Sequence, residues 1–277
     1  MIKDKFDLTG KTALVVGGRG YLGRNFCDAL AELGACVYAA DLAQASPASK
    51  GAGAPKANTQ VIQKHVDVND PASVTKLVDG IIKERKNIDV LVYSVSTKGA
   101  DFYKPYTECA LEGWQQVIKT ELDGMFLCTQ QVGRHMETAK KGSIILLSSI
   151  YGVVGNDQRI YEGSNLADVY GKDDTEKPKK IYAHASYAAV KGAHISMARY
   201  LAAYWGRHNI RVNCISPGGV AHQGENNVFV KKYCDRVPLG RKASVDDISS
   251  AVVYLASDAA SYVSGHNLIV DGGWTAW

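Results

Sequence analysis

The segment from Lys11 to Gly34 constrains the fold more than any other. Lys11-Thr12-Ala13-Leu14-Val15-Val16 is a short apolar run that reads as a buried strand. Gly17-Gly18-Arg19-Gly20-Tyr21-Leu22-Gly23 follows at once. From Tyr21 to Leu33 apolar residues then recur at helical spacing, up to Gly34. Strand, glycine turn and helix in that order open a βαβ unit. Gly17, Gly20 and Gly23 allow a tight turn, a close backbone approach to a pyrophosphate, and helix N–H groups that face the anion. A dinucleotide site formed by Gly17, Arg19, Gly20, Tyr21, Leu22 and Gly23 is the expectation, with a plain glycine-rich turn as the competing reading.

Strand and helix patterns alternate along the rest of the chain. Strands are expected near 12–17, 36–41, 61–66, 88–94, 143–148, 210–216 and 267–271. Such alternation argues for an α/β fold: a Rossmann-type, doubly wound parallel sheet of about seven strands with helices on both faces. Residues 1–277 then form one domain, which is routine at this length. Asp70-Pro71 is expected to open one helix, and Ser244-Val245-Asp246-Asp247 reads as a capping box for a late one. Ala43 to Asn58 reads as a mobile loop.

The second strand ends in Asp41, eighteen residues beyond Gly23, where an acid is expected to bond the adenosine ribose hydroxyls. A carboxylate there repels a 2′-phosphate, so NAD is expected over NADP. Arg19, a cation in the glycine turn, argues the other way. Asp67 and Val68 at the third strand end and Ser94 after the fourth are further cofactor candidates; Asp67 also reads as a helix-entry carboxylate.

Tyr187 and Lys191 are four residues apart, which stacks them on one helix face. An ammonium beside a phenol stabilises the phenolate and brings a tyrosine toward acid–base work. A surface pair on an ordinary helix is the bland alternative.

Together these features resemble the short-chain dehydrogenase/reductase family, single-domain branch, over the whole chain. Ser148-Ser149-Ile150-Tyr151-Gly152 is similar to the family's serine motif. Asn213 to Gly219 is similar to its sixth-strand motif, and Ser264 to Gly273 to its terminal strand. Pro217 to Val220, Phe229 to Tyr233 and the ending Gly273-Trp274-Thr275-Ala276-Trp277 further resemble dehydrogenases of flagellin-modification and nonulosonic-acid sugar clusters. The resemblance implies roles. Ser149 bonds the reacting oxygen, Tyr187 moves its proton, and Lys191 binds the nicotinamide ribose and stabilises the phenolate. Pro217, Gly218 and Val220 hold the carboxamide. It also implies an NAD(H)-dependent interconversion of a secondary alcohol and a ketone, on a sugar or sugar phosphate of surface-glycan biosynthesis. Members of this branch are commonly tetramers, so a homotetramer using the Asn267–Trp277 tail is expected.

Three positions depart from the family pattern. Tyr21 stands at the usual middle glycine, so the turn resembles that of nucleotide-sugar epimerases and dehydratases. Tyr93-Ser94-Val95-Ser96 replaces Asn-Asn-Ala-Gly. Glu121 stands where a helix asparagine helps hold a relay water behind the lysine; a glutamate there could accept from such a water or pair with a lysine. Two alternatives therefore remain open: a dehydratase or epimerase with bound NAD, and a catalytically silent NAD-binding partner protein.

Ser149 and Tyr187 lie thirty-eight residues apart, against about a dozen in that branch, so an insert near 155–182 is expected to border the substrate. Tyr161, Asn165 and Tyr170 would offer it hydrogen bonds, and Ala221 to Arg236, with His222 and Gln223, would form the other wall. A solvated loop or a subunit contact is the alternative. A net charge of +4 is mild, no basic run is interleaved with aromatics, and no 18-residue apolar stretch occurs, so neither nucleic acid nor membrane is an expected partner. Six cysteines without CxxC spacing and a charged N-terminus lacking a signal core point to the cytoplasm, with no metal site expected.

Overall fold

The computed structural model describes residues 1–42, 61–99, 101–166, 169 and 181–277. The Ala43–Asn58 segment and Tyr170 lie outside the described residues. Seven strands form one parallel sheet: β1 (Thr12–Val16), β2 (Cys36–Asp41), β3 (Val61–His65), β4 (Val90–Tyr93), β5 (Gly142–Leu147), β6 (Ile210–Pro217) and β7 (Asn267–Val270). Their order is β3-β2-β1-β4-β5-β6-β7. Each falls where the apolar runs placed it, with ends that differ by a residue or two.

The chain winds outward from β1 in both directions, so the order reverses between β1 and β4. A crevice opens there beyond the strand carboxyl ends. Alternate residues of the strands face opposite cores. Leu14, Val16, Tyr38, Tyr93, Ile144 and Leu146 pack on one face. Helices α2 (Pro71–Arg85), α4 (Gly124–Ala139) and α5 (Ala185–Trp205) cover it. Ala13, Val15, Val37, Val92 and Ile145 pack on the other. There α1 (Tyr21–Glu32) and α7 (Val245–Ala256) supply Phe26, Leu30, Ile248, Val252 and Leu255.

Local signals hold where they are short-range. Asp70 caps α2 by accepting from Ala72 N–H, with Pro71 at the first helical position. Ser244 and Asp247 form the expected capping box of α7. The helix pair α3 (Leu111–Val117) and α4 is joined by a π-helical turn, Ile118–Asp123.

A third apolar cluster sits beyond the strand ends. Ile150, Ile160, Leu166 and Ile181 meet Phe229, Tyr233, Val237 and Trp274. Trp274 is buried and stacks on Tyr233 at 4.5 Å between ring centres, while Trp277 is exposed. Among the described residues no helix is long and apolar enough to cross a membrane.

Candidate active site

The nucleotide end is built from backbone. Gly17 has φ +82°, a left-handed conformation that favours glycine. A Cβ there would meet the Ser94 carbonyl at 2.7 Å, so the turn and the end of β4 touch directly. A Cβ on Gly23 would collide with the Gly17 oxygen, so the absence of one lets α1 sit against the turn. No side chain caps α1 at Gly20, so its first N–H groups remain available to an anion. This cradle, with Leu22 and Gly23 in the first turn of α1, fits a pyrophosphate.

Asp41 lies beside it. Its carboxylate accepts Arg19 N–H at 3.0 Å and Leu42 N–H at 2.9 Å. The Arg19 guanidinium turns toward β3 and donates to Gln63 at 2.9 Å. Asp67 accepts Asn69 N–H at 2.9 Å in the turn into α2, and Val68 packs close to Gly124. Ser94 N–H donates to the Val16 oxygen at 2.8 Å. The structure thus brings Gly17, Arg19, Asp41 and Ser94 to one end of the crevice.

The other end is set by β5 and α5. Ser149 follows β5, and its hydroxyl oxygen accepts Tyr151 N–H at 3.2 Å. A hydroxyl that accepts there can still donate its own proton to another oxygen. The turn after it is locked to α5: Ser148 Oγ donates to the Lys191 oxygen at 2.7 Å, and Gly152 sits so close to Lys191 that a side chain has no room. Lys191 Nζ lies 5.3 Å from the Tyr187 ring centre and donates to the Leu147 oxygen at 3.2 Å.

Glu121 sits in the π turn, a feature frequent at functional sites. Its Oε2 lies 2.9 Å from Lys191 Nζ, and both side chains are buried. Its Oε1 accepts Ser96 Oγ–H at 3.1 Å and Thr97 N–H at 2.8 Å. Burial pushes the Lys191 ammonium down, but Glu121 and then Tyr187 outweigh it, and the net shift is upward. The carboxylate therefore pairs with the lysine directly.

Two sequence models match the chain: short chain dehydrogenase over residues 11–165 and Enoyl-(Acyl carrier protein) reductase over residues 176–275. The first alone spans more than half of the chain. This protein is a short-chain dehydrogenase/reductase. It is similar to a D-threitol dehydrogenase of Mycolicibacterium smegmatis, at 34% identity over 98% of this chain and 95% of that one. It is similar to an NADP-dependent mannitol dehydrogenase of Alternaria alternata, at 32% identity over 99% and 95%. A short-chain dehydrogenase structure from Leptospira borgpetersenii with bound NAD+ superposes with TM-score 0.80, at 27% identity over 98% of this chain and 95% of that one.

In this short-chain dehydrogenase, His194 is a site residue that motif reading missed. It is wholly buried one turn beyond Lys191, its ring nitrogens 3.0 Å from the Leu147 oxygen and 3.1 Å from the Glu121 oxygen. Both neighbours are acceptors, so the neutral ring donates to one of these main-chain oxygens and only packs against the other. Burial, and then the lysine charge, push it down to about 4. The i, i+4, i+7 row Tyr187, Lys191, His194 on one helix face was the available signal.

The stretches expected as the two walls are bonded to each other. Tyr161 lies 3.3 Å from the Tyr151 hydroxyl, stacks on Phe229 and interacts electrostatically with Tyr187. Asn165 donates to the Gly224 oxygen at 2.6 Å and accepts Asn226 N–H at 2.8 Å. Both tie the described start of the insert to the opposite wall. His222 meets Tyr21 at 5.0 Å between ring centres, on the nucleotide side.

Proposed function

We propose that the protein is an NAD(H)-dependent dehydrogenase that interconverts a secondary alcohol and a ketone on an uncharged polyol or sugar. The observation that carries the reading is the assembly of Tyr187, Lys191 and Glu121 next to the Ser149 turn, at the strand ends the glycine cradle faces. When bound, the nicotinamide supplies or accepts the hydride. Ser149 donates its hydroxyl proton to the reacting oxygen and fixes its place. Tyr187 gives or takes the proton on that oxygen. Lys191 keeps a positive charge beside the tyrosine, and Glu121 keeps Lys191 charged and in place. Gly17, Gly20, Tyr21, Leu22 and Gly23 would hold the pyrophosphate. Pro217, Gly218 and Val220, beside which Gly219 N–H donates to Tyr233, would border the nicotinamide. The paired acid in these buried surroundings speaks against the silent-partner reading.

NAD is the proposed cofactor. Asp41 presents a carboxylate where a 2′-phosphate would sit, and Arg19 is already bonded to Gln63. The similarity to polyol dehydrogenases supports the substrate class. Described cations of the two walls are engaged: Arg159 and Arg236 with Asp157, Lys242 with Glu225, and Lys232 with the Arg159 and Glu162 oxygens. Among the described residues that pairing favours an uncharged substrate over a sugar phosphate. A surface-glycan sugar, the narrower expectation, draws its support from the sequence resemblance alone.

Absorbance at the reduced-nicotinamide band, followed with NAD and NADP against polyols, sugars and sugar phosphates, tests all of this. NADH formation from polyols is expected. Preference for NADP would give the site to Arg19, and turnover confined to sugar phosphates would overturn the substrate class. Redox-neutral conversion of a nucleotide sugar would favour the dehydratase or epimerase reading.

A further inference from the structure

The Tyr21 hydroxyl, on the first residue of α1, donates to the Ala221 oxygen at 2.5 Å, and its ring packs on His222. These groups belong to opposite sides of the crevice. Tyr21 follows β1 and Ala221 follows β6, with β4 and β5 between them. At roughly 4.8 Å per strand, the contact bridges some 14 Å of sheet edge. It passes outside the ends of β4 and β5, where Ser94 and Ser149 stand. A dinucleotide reaching from the glycine cradle to Lys191 would cross the same span of strand ends.

The far end of the bridge is firmly held. Val220 pairs with Ala243, and Ala221 N–H donates to the Ala243 oxygen at 2.8 Å. His222 N–H donates to Glu225, whose carboxylate binds the nearly buried Lys242. Asn165 and Asn226 then join this segment to the start of the insert. The described start of the insert, the loop and Tyr21 are thus joined by a continuous run of contacts. Burial, helped by Glu225, raises the Tyr21 hydroxyl above its ordinary value, so it keeps its proton and donates. A glycine at this position could make neither contact.

We propose that Tyr21 is a clasp: its hydroxyl on Ala221 and its ring on His222 hold segment 219–226 closed over the bound dinucleotide, so that opening this contact gates cofactor release. The inference rests on the nicotinamide reading above and adds to it a positioning residue that acts on cofactor residence rather than on the chemical step. Losing one hydrogen bond from a closed state should speed opening by about threefold to tenfold.

Stopped-flow release of NADH, chased by excess NAD+ and followed by its fluorescence, tests the clasp without any substrate. Tyr21→Phe, which keeps the ring, should release NADH about threefold to tenfold faster, with association no slower than in the parent. His222→Ala, on the surface loop, should also speed release, and the double variant should fall short of the product of the two effects because both act on one contact. Release within twofold of the parent in both single variants overturns the clasp. So does weakened binding that arises wholly from slower association. A parent protein that binds neither NADH nor NADPH removes the nicotinamide reading and the clasp together, whereas tight binding with unaltered release removes the clasp alone.

Discussion

Glu121 and Lys191 are both withdrawn from water, and breaking such a pair costs about 3–5 kcal/mol because one charge is left buried alone. Glu121→Gln keeps an oxygen for Ser96 and Thr97 but removes the charge that holds Lys191 above its ordinary value. Burial then dominates, and Lys191 loses its proton at lower pH. Turnover should fall at least about tenfold, and the alkaline limb of the kcat profile should move to lower pH. A profile that stays in place would show that the carboxylate serves folding alone. His194 gives a second, thermodynamic expectation. Its folded value, about 4, lies below the ordinary 6.5, so the unfolded chain binds more protons between them. The neutral ring's contribution is complete above about pH 6.5 and is lost as pH falls toward 4. At most it amounts to roughly 3 kcal/mol. Urea midpoints measured from pH 7 to pH 4 should decline, and the decline should flatten in His194→Gln. Equal slopes in both proteins would remove His194 as its source.

At the scale of elements, legibility follows the range of the interaction. β1, the glycine turn and α1 are written in twenty-odd consecutive residues, and so the sequence shows them. Apolar period and caps likewise reveal the remaining strands, α2 and α7. The π turn at Ile118–Asp123 is different: one extra residue in a helix barely disturbs the apolar pattern, so Glu121 could be flagged as a departure but its direct pairing with Lys191 could not be seen. His194 takes its role from carbonyls on β5 and on the π turn, and Tyr21 from an oxygen two hundred residues away. Asn165 and Tyr161 are legible as polar groups of the insert, but their partners are not: in the fold they fasten its described start to α6 (Asn227–Cys234) and the loop before it. Tyr187 and Lys191 were legible because helical spacing alone puts them together.

For the whole molecule, two separate apolar surfaces bear on assembly. One lies on the outward side of α4 and α5, where Phe126, Tyr200 and Tyr204 are about half exposed or more, and the two tyrosines stack at 6.2 Å between ring centres. The other gathers around the β7 edge and tail, with Leu239, Ile269 and Trp277 exposed. Within the tail Trp274 packs on Tyr233 inside the chain, which leaves Trp277 as its exposed aromatic. A single self-complementary patch yields a dimer, whereas two distinct ones, each used across its own two-fold axis, close into a tetramer with D2 symmetry. Light scattering at micromolar concentration should therefore report four chains. Tyr200→Lys with Tyr204→Lys should leave dimers joined through the β7 edge, and Leu239→Lys with Trp277→Lys should leave dimers joined through α4 and α5. Combining the four changes should give monomers that still bind NADH, since the glycine cradle and Asp41 lie in neither patch. A parent protein that is monomeric would remove both interfaces, and a tetramer indifferent to either pair of charges would clear that patch of any part in assembly.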